Sequence, residues 1–77
     1  MDVKDRVIDV IAKQVGVSNY EVRPEHNLQI DLGADSIDIV EICMSLQEEF
    51  GIVIDHMEAL NTVGEIINVI EKRRKGF

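Results

Sequence analysis

Ser36 is the residue of this sequence whose surroundings point most clearly to chemistry. It lies between Asp31 and Asp35 on one side and Asp38 on the other, so its hydroxyl is surrounded by carboxylates. Asp35 can cap a helix with Asp38 at the third helical position, which predicts that Ser36 opens a helix. The free N–H groups and the positive dipole end of a first turn stabilise a phosphate ester. The site would therefore suit a phosphate-linked group on Ser36, but a serine after a capping aspartate is also commonplace for structural reasons alone.

Catalysis by Ser36 is not expected. A nucleophilic serine needs a general base and donors for the oxyanion. The histidines are His26 and His56; neither lies in a motif that ties it to a serine, and each is expected on the surface or in a loop. The stretch 31–41 also lacks the Asp-x-Asp-x-Asp-Gly spacing of a calcium loop. We therefore predict no catalytic residue, no metal site and no enzymatic activity.

A helix and a long loop are predicted before Ser36. Apolar residues at helical spacing predict a first helix over about 3–15, which Gly16 can end. From 17 to 34 the periodicity fails and Pro24 excludes a helix interior, so one turn at most is expected over 18–20. A loop of this length is expected to pack or to function. The apolar residues expected to hold it to the core are Val22, Leu28, Ile30 and Leu32.

Three further helical segments are predicted after the loop. The second helix covers 36–50, a short helical turn covers 55–60, and the last helix covers about 63–74 before Gly76. The run 52–54 could form a strand, but no partner run shows strand alternation. The predicted fold class is therefore all-α: a four-helix bundle with three longer helices, one short third helix and a long first loop.

The second helix is predicted to present three faces when its residues are placed at 100° intervals. The face expected to join the core comprises Ile39, Ile42, Cys43, Leu46 and Phe50. A further apolar stripe, Ile37, Val40 and Met44, lies beside Glu41 and Glu48. This stripe either docks a partner that offers an apolar groove with basic rims or packs against the loop and the short helix. We expect the stripe to be partly exposed, with Met44 the most buried of the three side chains. Cys43 is interpreted as a structural residue rather than a reactive one.

Composition indicates one small acidic domain over residues 1–77. No Lys or Arg occurs between Arg23 and Lys72, whereas eleven Asp and Glu do. Such a surface repels nucleic acid and anionic lipid and attracts partners with basic patches. The four basic residues at 72–75 are interpreted as cations that stabilise the negative end of a helix dipole rather than as a tail that binds nucleic acid. We expect a monomer that binds no nucleic acid.

Three observations bear on where the protein works. One cysteine excludes an internal disulfide. The N-terminus does not resemble a targeting signal, and no apolar run approaches the roughly 20 residues that span a bilayer. A reducing interior is the default location, and we predict the cytoplasm, without stable membrane association.

The residues around Ser36 closely resemble the phosphopantetheine attachment motif of acyl carrier proteins. The motif comprises Asp31-Leu32-Gly33-Ala34-Asp35-Ser36, followed by Ile37-Asp38 and Val40-Glu41. The likeness extends over nearly the whole chain through Glu48-Glu49-Phe50, Ile54-Asp55 and Thr62-Val63.

This resemblance implies a four-helix carrier with 4′-phosphopantetheine on Ser36, transferred from coenzyme A by a holo-carrier synthase, a phosphopantetheinyl transferase. It implies that the arm carries acyl chains as thioesters to enzymes of fatty acid synthesis, and that the chains can withdraw between the helices. The residues that match the transferase and partner docking surface are Asp35, Ile37, Asp38, Val40, Glu41, Met44 and Glu48. The candidate walls of an acyl pocket are Ile39, Cys43, Leu46, Ile54, Ile66 and Ile67.

Some features differ from the usual family pattern. Ile37 stands where leucine is commonest, and the stretch 54–62 is shorter than in typical bacterial members and lacks the usual proline. These differences leave the length of the third helix and the capacity of the pocket open. The initial Met1 and the lack of Pro-, Gly- or Ser-rich flanks favour a freestanding carrier. A carrier of polyketide, aminoacyl or lipid-A-type chains and an unmodified small acidic adaptor stand as alternatives.

Overall fold

Three α-helices form the frame of the molecule in the computed structural model, which describes residues 2–75, with side chains through Arg73. The helices are α1 (Val3–Val15), α2 (Ser36–Phe50) and α3 (Val63–Lys75), with single 3-10 turns at Asn19–Glu21 and Met57–Ala59. Within this described part the only β-type pairing is one isolated bridge between Asn27 and Thr62. The all-α prediction is therefore confirmed. In residues 2–75 we find no helix that combines the length and apolarity needed to cross a membrane.

Local signals set the ends of the helices. At the start of α1 the Asp5 N–H donates to Asp2 Oδ1 at 2.9 Å, which satisfies one of the donors that a helix start leaves open. Gly16 and Gly51 end α1 and α2 in the left-handed conformation, with φ of 79° and 64°. These boundaries agree with the predicted 3–15 and 36–50. Gly76, predicted to follow the last helix, lies outside the described residues.

The core lies where α1 packs against both α2 and α3. It is aliphatic, as the composition indicates, and each helix contributes residues spaced three or four apart. The fully buried members include Val7, Ile11, Ile42, Leu46, Val63, Ile66 and Ile70. Ile39, Cys43 and Phe50 are partly buried against this cluster. The predicted core face of α2 is therefore confirmed.

The long loop is held to the start of α3 by backbone hydrogen bonds. The Leu28 N–H donates to the Asn61 carbonyl, and the Val63 N–H donates to the His26 carbonyl, both at 3.0 Å. Val22 and Leu28 are buried and Leu32 is partly buried, as expected. Ile30 is not: it is 83% exposed, so this prediction was wrong.

The exposure of Ile30 follows from the turn that contains it. The Asn27 side-chain oxygen accepts the N–H groups of Gln29 and Ile30, both at 2.9 Å. The Asn27 carbonyl accepts the N–H of Asp31 at 3.0 Å. This side-chain capped turn satisfies its own backbone groups and leaves Ile30 facing solvent.

The short third helix is shorter than predicted. The structure has a 3-10 turn over Met57–Ala59 in place of a helical turn over 55–60. His56 precedes it with a left-handed φ of 57°, and helical hydrogen bonding cannot pass through that conformation. Asp55, expected to start the turn, instead accepts from Arg73 Nη2 at 3.2 Å. The run 52–54 is irregular, so the strand alternative is excluded.

Candidate functional site

Ser36 is the first residue of α2 and is exposed. The residues beside it form a reciprocal capping box: the Asp38 N–H donates to Asp35 Oδ1 at 2.9 Å, and the Asp35 N–H donates to Asp38 Oδ2 at 3.2 Å. This arrangement fixes the first turn of α2 and keeps the hydroxyl of Ser36 at the N-terminal end of the helix. An enzyme can therefore reach the hydroxyl from solvent.

The loop reaches α2 through Gly33 and Ala34. Gly33 has a left-handed φ of 70°, a conformation that glycine adopts without steric cost. Ala34 is buried and its N–H donates to the Leu28 carbonyl at 2.9 Å. The turn at Gly33 and the anchor at Ala34 together bring Ser36 to the surface.

An apolar cleft of about 450 Å³ opens beside Ser36. Its α2 wall comes from Ile39, Val40, Cys43 and Met44, and its opposite wall comes from Leu28, Ile54, Met57 and Leu60. Polar side chains, among them Asn27, His56 and Asn61, also line it. Because the serine and the apolar walls share one cavity, a flexible group attached to the hydroxyl could reach an apolar environment without leaving the molecule.

Three of the candidate pocket residues line this cleft, namely Ile39, Cys43 and Ile54. The other three, Leu46, Ile66 and Ile67, are buried in the core and are not part of the cleft lining. Sequence reasoning missed Leu28, Met57 and Leu60, which come from the loop and the 3-10 turn. These segments have no helical periodicity that could assign their inward faces.

The apolar stripe of α2 is largely uncovered. Ile37, Val40 and Met44 are 67%, 56% and 62% exposed. The three side chains are therefore partly exposed, as expected, and the loop and short third segment do not enclose them. The expectation that Met44 lies deepest was wrong, because Val40 is the least exposed. Both side chains border the open cleft rather than the packed core, so neither is covered.

The acidic residues of the predicted docking surface lie on the same helix or its cap. Asp35, Glu41 and Glu48 are exposed and Asp38 is half-buried. Gln14 Nε2 donates to Asp38 Oδ1 at 3.1 Å and to Glu41 Oε1 at 3.0 Å. The hydrogen bond from Gln14, followed by that from the Asp35 N–H, lowers the pKa of the Asp38 carboxyl below its ordinary value.

The surroundings of the Cys43 thiol disfavour reactivity, and each imidazole contacts a residue near it in the chain. Burial, and secondarily the charge of Glu58, raises the pKa of the Cys43 thiol, which disfavours the reactive thiolate. His26 Nδ1 accepts the Arg23 N–H at 3.0 Å within the loop. His56 borders the cleft with its side chain 84% exposed, and its Nδ1 lies 3.6 Å from Glu58 Oε1. Both histidines therefore lie in loops, as expected.

Comparisons with known proteins agree with this geometry. The family model described as the phosphopantetheine attachment site matches residues 5–70. Among solved structures, the fold is similar to that of Rv0033 from Mycobacterium tuberculosis, a protein assigned as an acyl carrier protein, with a TM-score of 0.84. The two sequences are 21% identical, and the match covers 91% of this chain and 96% of the other. The chain belongs to the phosphopantetheine attachment family, whose members are non-enzymatic carrier proteins that hold 4′-phosphopantetheine covalently and interact with transferases and acyl-processing enzymes.

Proposed function

We propose that this chain is the acyl carrier protein of a dissociated fatty acid synthase and that Ser36 bears the 4′-phosphopantetheine. The observation that carries the proposal is an exposed serine at the start of α2, beside an apolar cleft, inside the segment that matches the family model. The proposed carrier domain spans residues 1–77. We propose that it acts as a monomer in the cytoplasm.

The residues present suit the prosthetic group. The first turn of α2 offers backbone N–H groups and the positive end of a helix dipole to the phosphodiester. The cleft offers apolar walls from Ile39, Cys43 and Ile54 to an acyl chain. When bound, the group supplies a terminal thiol that carries acyl groups as thioesters. A chain that extends past the cleft between the helices would meet Leu46, Ile66 and Ile67.

The proposed docking surface for partners is the exposed face of α2. It combines the carboxylates of Asp35, Asp38, Glu41 and Glu48 with the apolar side chains of Ile37, Val40 and Met44. A transferase or synthase enzyme with a basic rim around an apolar patch is complementary to it in charge and character. The formal net charge of −7 strengthens the attraction at long range.

The attachment site is tested by intact mass. After incubation with coenzyme A and a promiscuous phosphopantetheinyl transferase, the mass of the wild type is expected to rise by one prosthetic group. Ser36→Ala is expected to abolish the rise. Ser45→Ala is the matched control, because Ser45 is an exposed serine of the same helix away from its first turn. A wild type that stays unmodified would support the small acidic adaptor instead.

The pathway needs a separate measurement, because polyketide, aminoacyl and lipid-A-type carriers would share Ser36. We expect fatty acyl thioesters on the protein isolated from its native cell. Mass spectrometry of the chains released from the prosthetic thiol distinguishes the pathways. Aminoacyl or polyketide thioesters would reject fatty acid synthesis but not the attachment of the arm.

A further inference from the structure

Gln14 connects α1 to two carboxylates of α2. Its single Nε2 atom donates to Asp38 Oδ1 at 3.1 Å and to Glu41 Oε1 at 3.0 Å. The two acceptors are three residues apart on the helix, where like charges lie close and repel each other. The two hydrogens of one amide therefore hold together a pair of carboxylates that would otherwise separate.

This connection differs from the one at the other end of the α1 and α2 interface. There Arg6 binds Glu49, with Nη2 2.9 Å from Oε2, and its guanidinium lies 4.4 Å from the centroid of the Phe50 ring. A cation partly neutralises the carboxylate that it contacts, whereas a neutral amide orders a carboxylate and leaves its charge intact. Of these two connections, the one near Ser36 uses the neutral amide.

The Asp38 carboxylate is held on both sides. Its Oδ2 accepts from the Asp35 N–H in the capping box, while Oδ1 accepts from Gln14. Its rotamer is thus fixed before any partner arrives. Gln14 engages Oε1 of Glu41, which leaves the other oxygen of that carboxylate available to a cation.

We propose that Gln14 is a positioning residue for docking: it holds Asp38 and Glu41 as an ordered, still negative pair that receives a guanidinium or ammonium group of the phosphopantetheinyl transferase. The inference rests on the proposed function of the α2 surface. Ordering the side chains in advance lowers the entropy lost on binding. Keeping both charges preserves attraction to a basic partner, and the planar guanidinium can bind two carboxylate oxygens at once.

Two substitutions separate this role from a purely structural one. Gln14→Ala removes both hydrogen bonds, so we expect the pKa of Asp38, followed by NMR, to rise toward its ordinary value. We expect the KM of the transferase for the protein to rise about fivefold, the change that roughly 1 kcal/mol produces, with kcat unchanged. Gln14→Arg keeps the donors and adds a positive charge, so the Asp38 pKa is expected to stay low while KM still rises. A structural role alone predicts a normal KM for Gln14→Arg.

Asn19→Ala is the matched control. Asn19 Nδ2 donates to Asp9 Oδ1 at 3.1 Å, and this hydrogen bond is the main reason that the pKa of Asp9 lies below its ordinary value. The interaction is again amide to carboxylate, but Asp9 belongs to α1. We expect Asn19→Ala to raise the Asp9 pKa and to leave the KM unchanged.

The outcomes distinguish this inference from the proposed function. If the wild type is loaded at Ser36 and both Gln14 variants keep the wild-type KM, Gln14 plays no part in docking. The inference is then overturned while the proposed function stands. The same holds if Gln14→Ala leaves the Asp38 pKa where it was. If the wild type is not loaded at all, both the proposed function and this inference fail.

Discussion

At the scale of single residues, Gly33 governs how the loop enters α2. Its φ of 70° lies in the left-handed region, and a Cβ added there would meet no atom within 4 Å. The requirement for glycine is therefore one of backbone conformation and not of space. Because Ala34 is buried directly after it, a change in this turn would move either the anchor or the start of the helix.

Gly33→Ala is expected to lower the free energy of unfolding by about 1 kcal/mol, the usual cost of an L-residue in the left-handed region. Gly33→Asn should lose less, because asparagine tolerates that region. Urea unfolding followed by circular dichroism measures both values. Loading of Ser36 at saturating transferase is expected to persist in both variants. Equal stability of Gly33→Ala and the wild type would show that the turn does not require glycine at residue 33.

At the scale of elements, the cap of α3 also supports the loop that leads to Ser36. Glu65 Oε1 accepts the N–H groups of Thr62 and Asn61 at 2.8 and 2.9 Å, and the Glu65 N–H donates to Thr62 Oγ1 at 3.2 Å. The backbone hydrogen bond from Thr62, followed by that from Asn61, holds the pKa of Glu65 below its ordinary value. The carbonyl of Asn61 in turn accepts from Leu28, which joins this cap to the loop.

The cap makes the contribution of Glu65 to stability depend on pH. A carboxyl whose pKa is lowered on folding stabilises the protein above its unfolded pKa, near 4.5, and loses that contribution as the pH falls through the folded value. We expect Glu65→Gln to melt below the wild type at pH 7, with the difference shrinking as the pH falls below about 4.5. Melting curves across this range test it. Glu71→Gln, on an exposed site of the same helix, is the control, and a pH-independent difference for Glu65→Gln would contradict the expectation.

The elements that were predicted correctly are those specified by residues within or next to them. The three long helices have apolar periodicity and caps within a few residues of their ends, so their boundaries agree with the structure to within a residue or so. The third helical segment was predicted too long, because no local signal indicates the left-handed φ of His56 and because Asp55 pairs with Arg73, which is 18 residues away. The far wall of the cleft was missed for the same reason: Met57 and Leu60 face α2 only after the loops have packed.

At the scale of the whole molecule, negative charge is concentrated where partners are proposed to bind. Eleven acidic and no basic residues occur between Arg23 and Lys72. Among the ion pairs formed within the described part of the chain, the pair between Arg6 and Glu49 is the one that involves a residue of α2. The folded state therefore holds like charges close together, which opposes compaction. The same field that is proposed to attract basic enzymes is thus expected to lower the stability of the free protein.

Divalent cations are expected to relieve this repulsion more than sodium does. At equal ionic strength, magnesium or calcium chloride should raise the melting temperature above its value in sodium chloride, because a divalent ion interacts with neighbouring carboxylates more strongly than general screening does. A gain of about 1 kcal/mol would correspond to roughly 4–8 °C for a domain of this size. Glu41→Gln combined with Glu48→Gln removes two charges from the exposed face of α2, so the advantage of the divalent salts should shrink in that variant. Identical melting curves in the two salts would mean that divalent ions relieve no more repulsion than general ionic screening does.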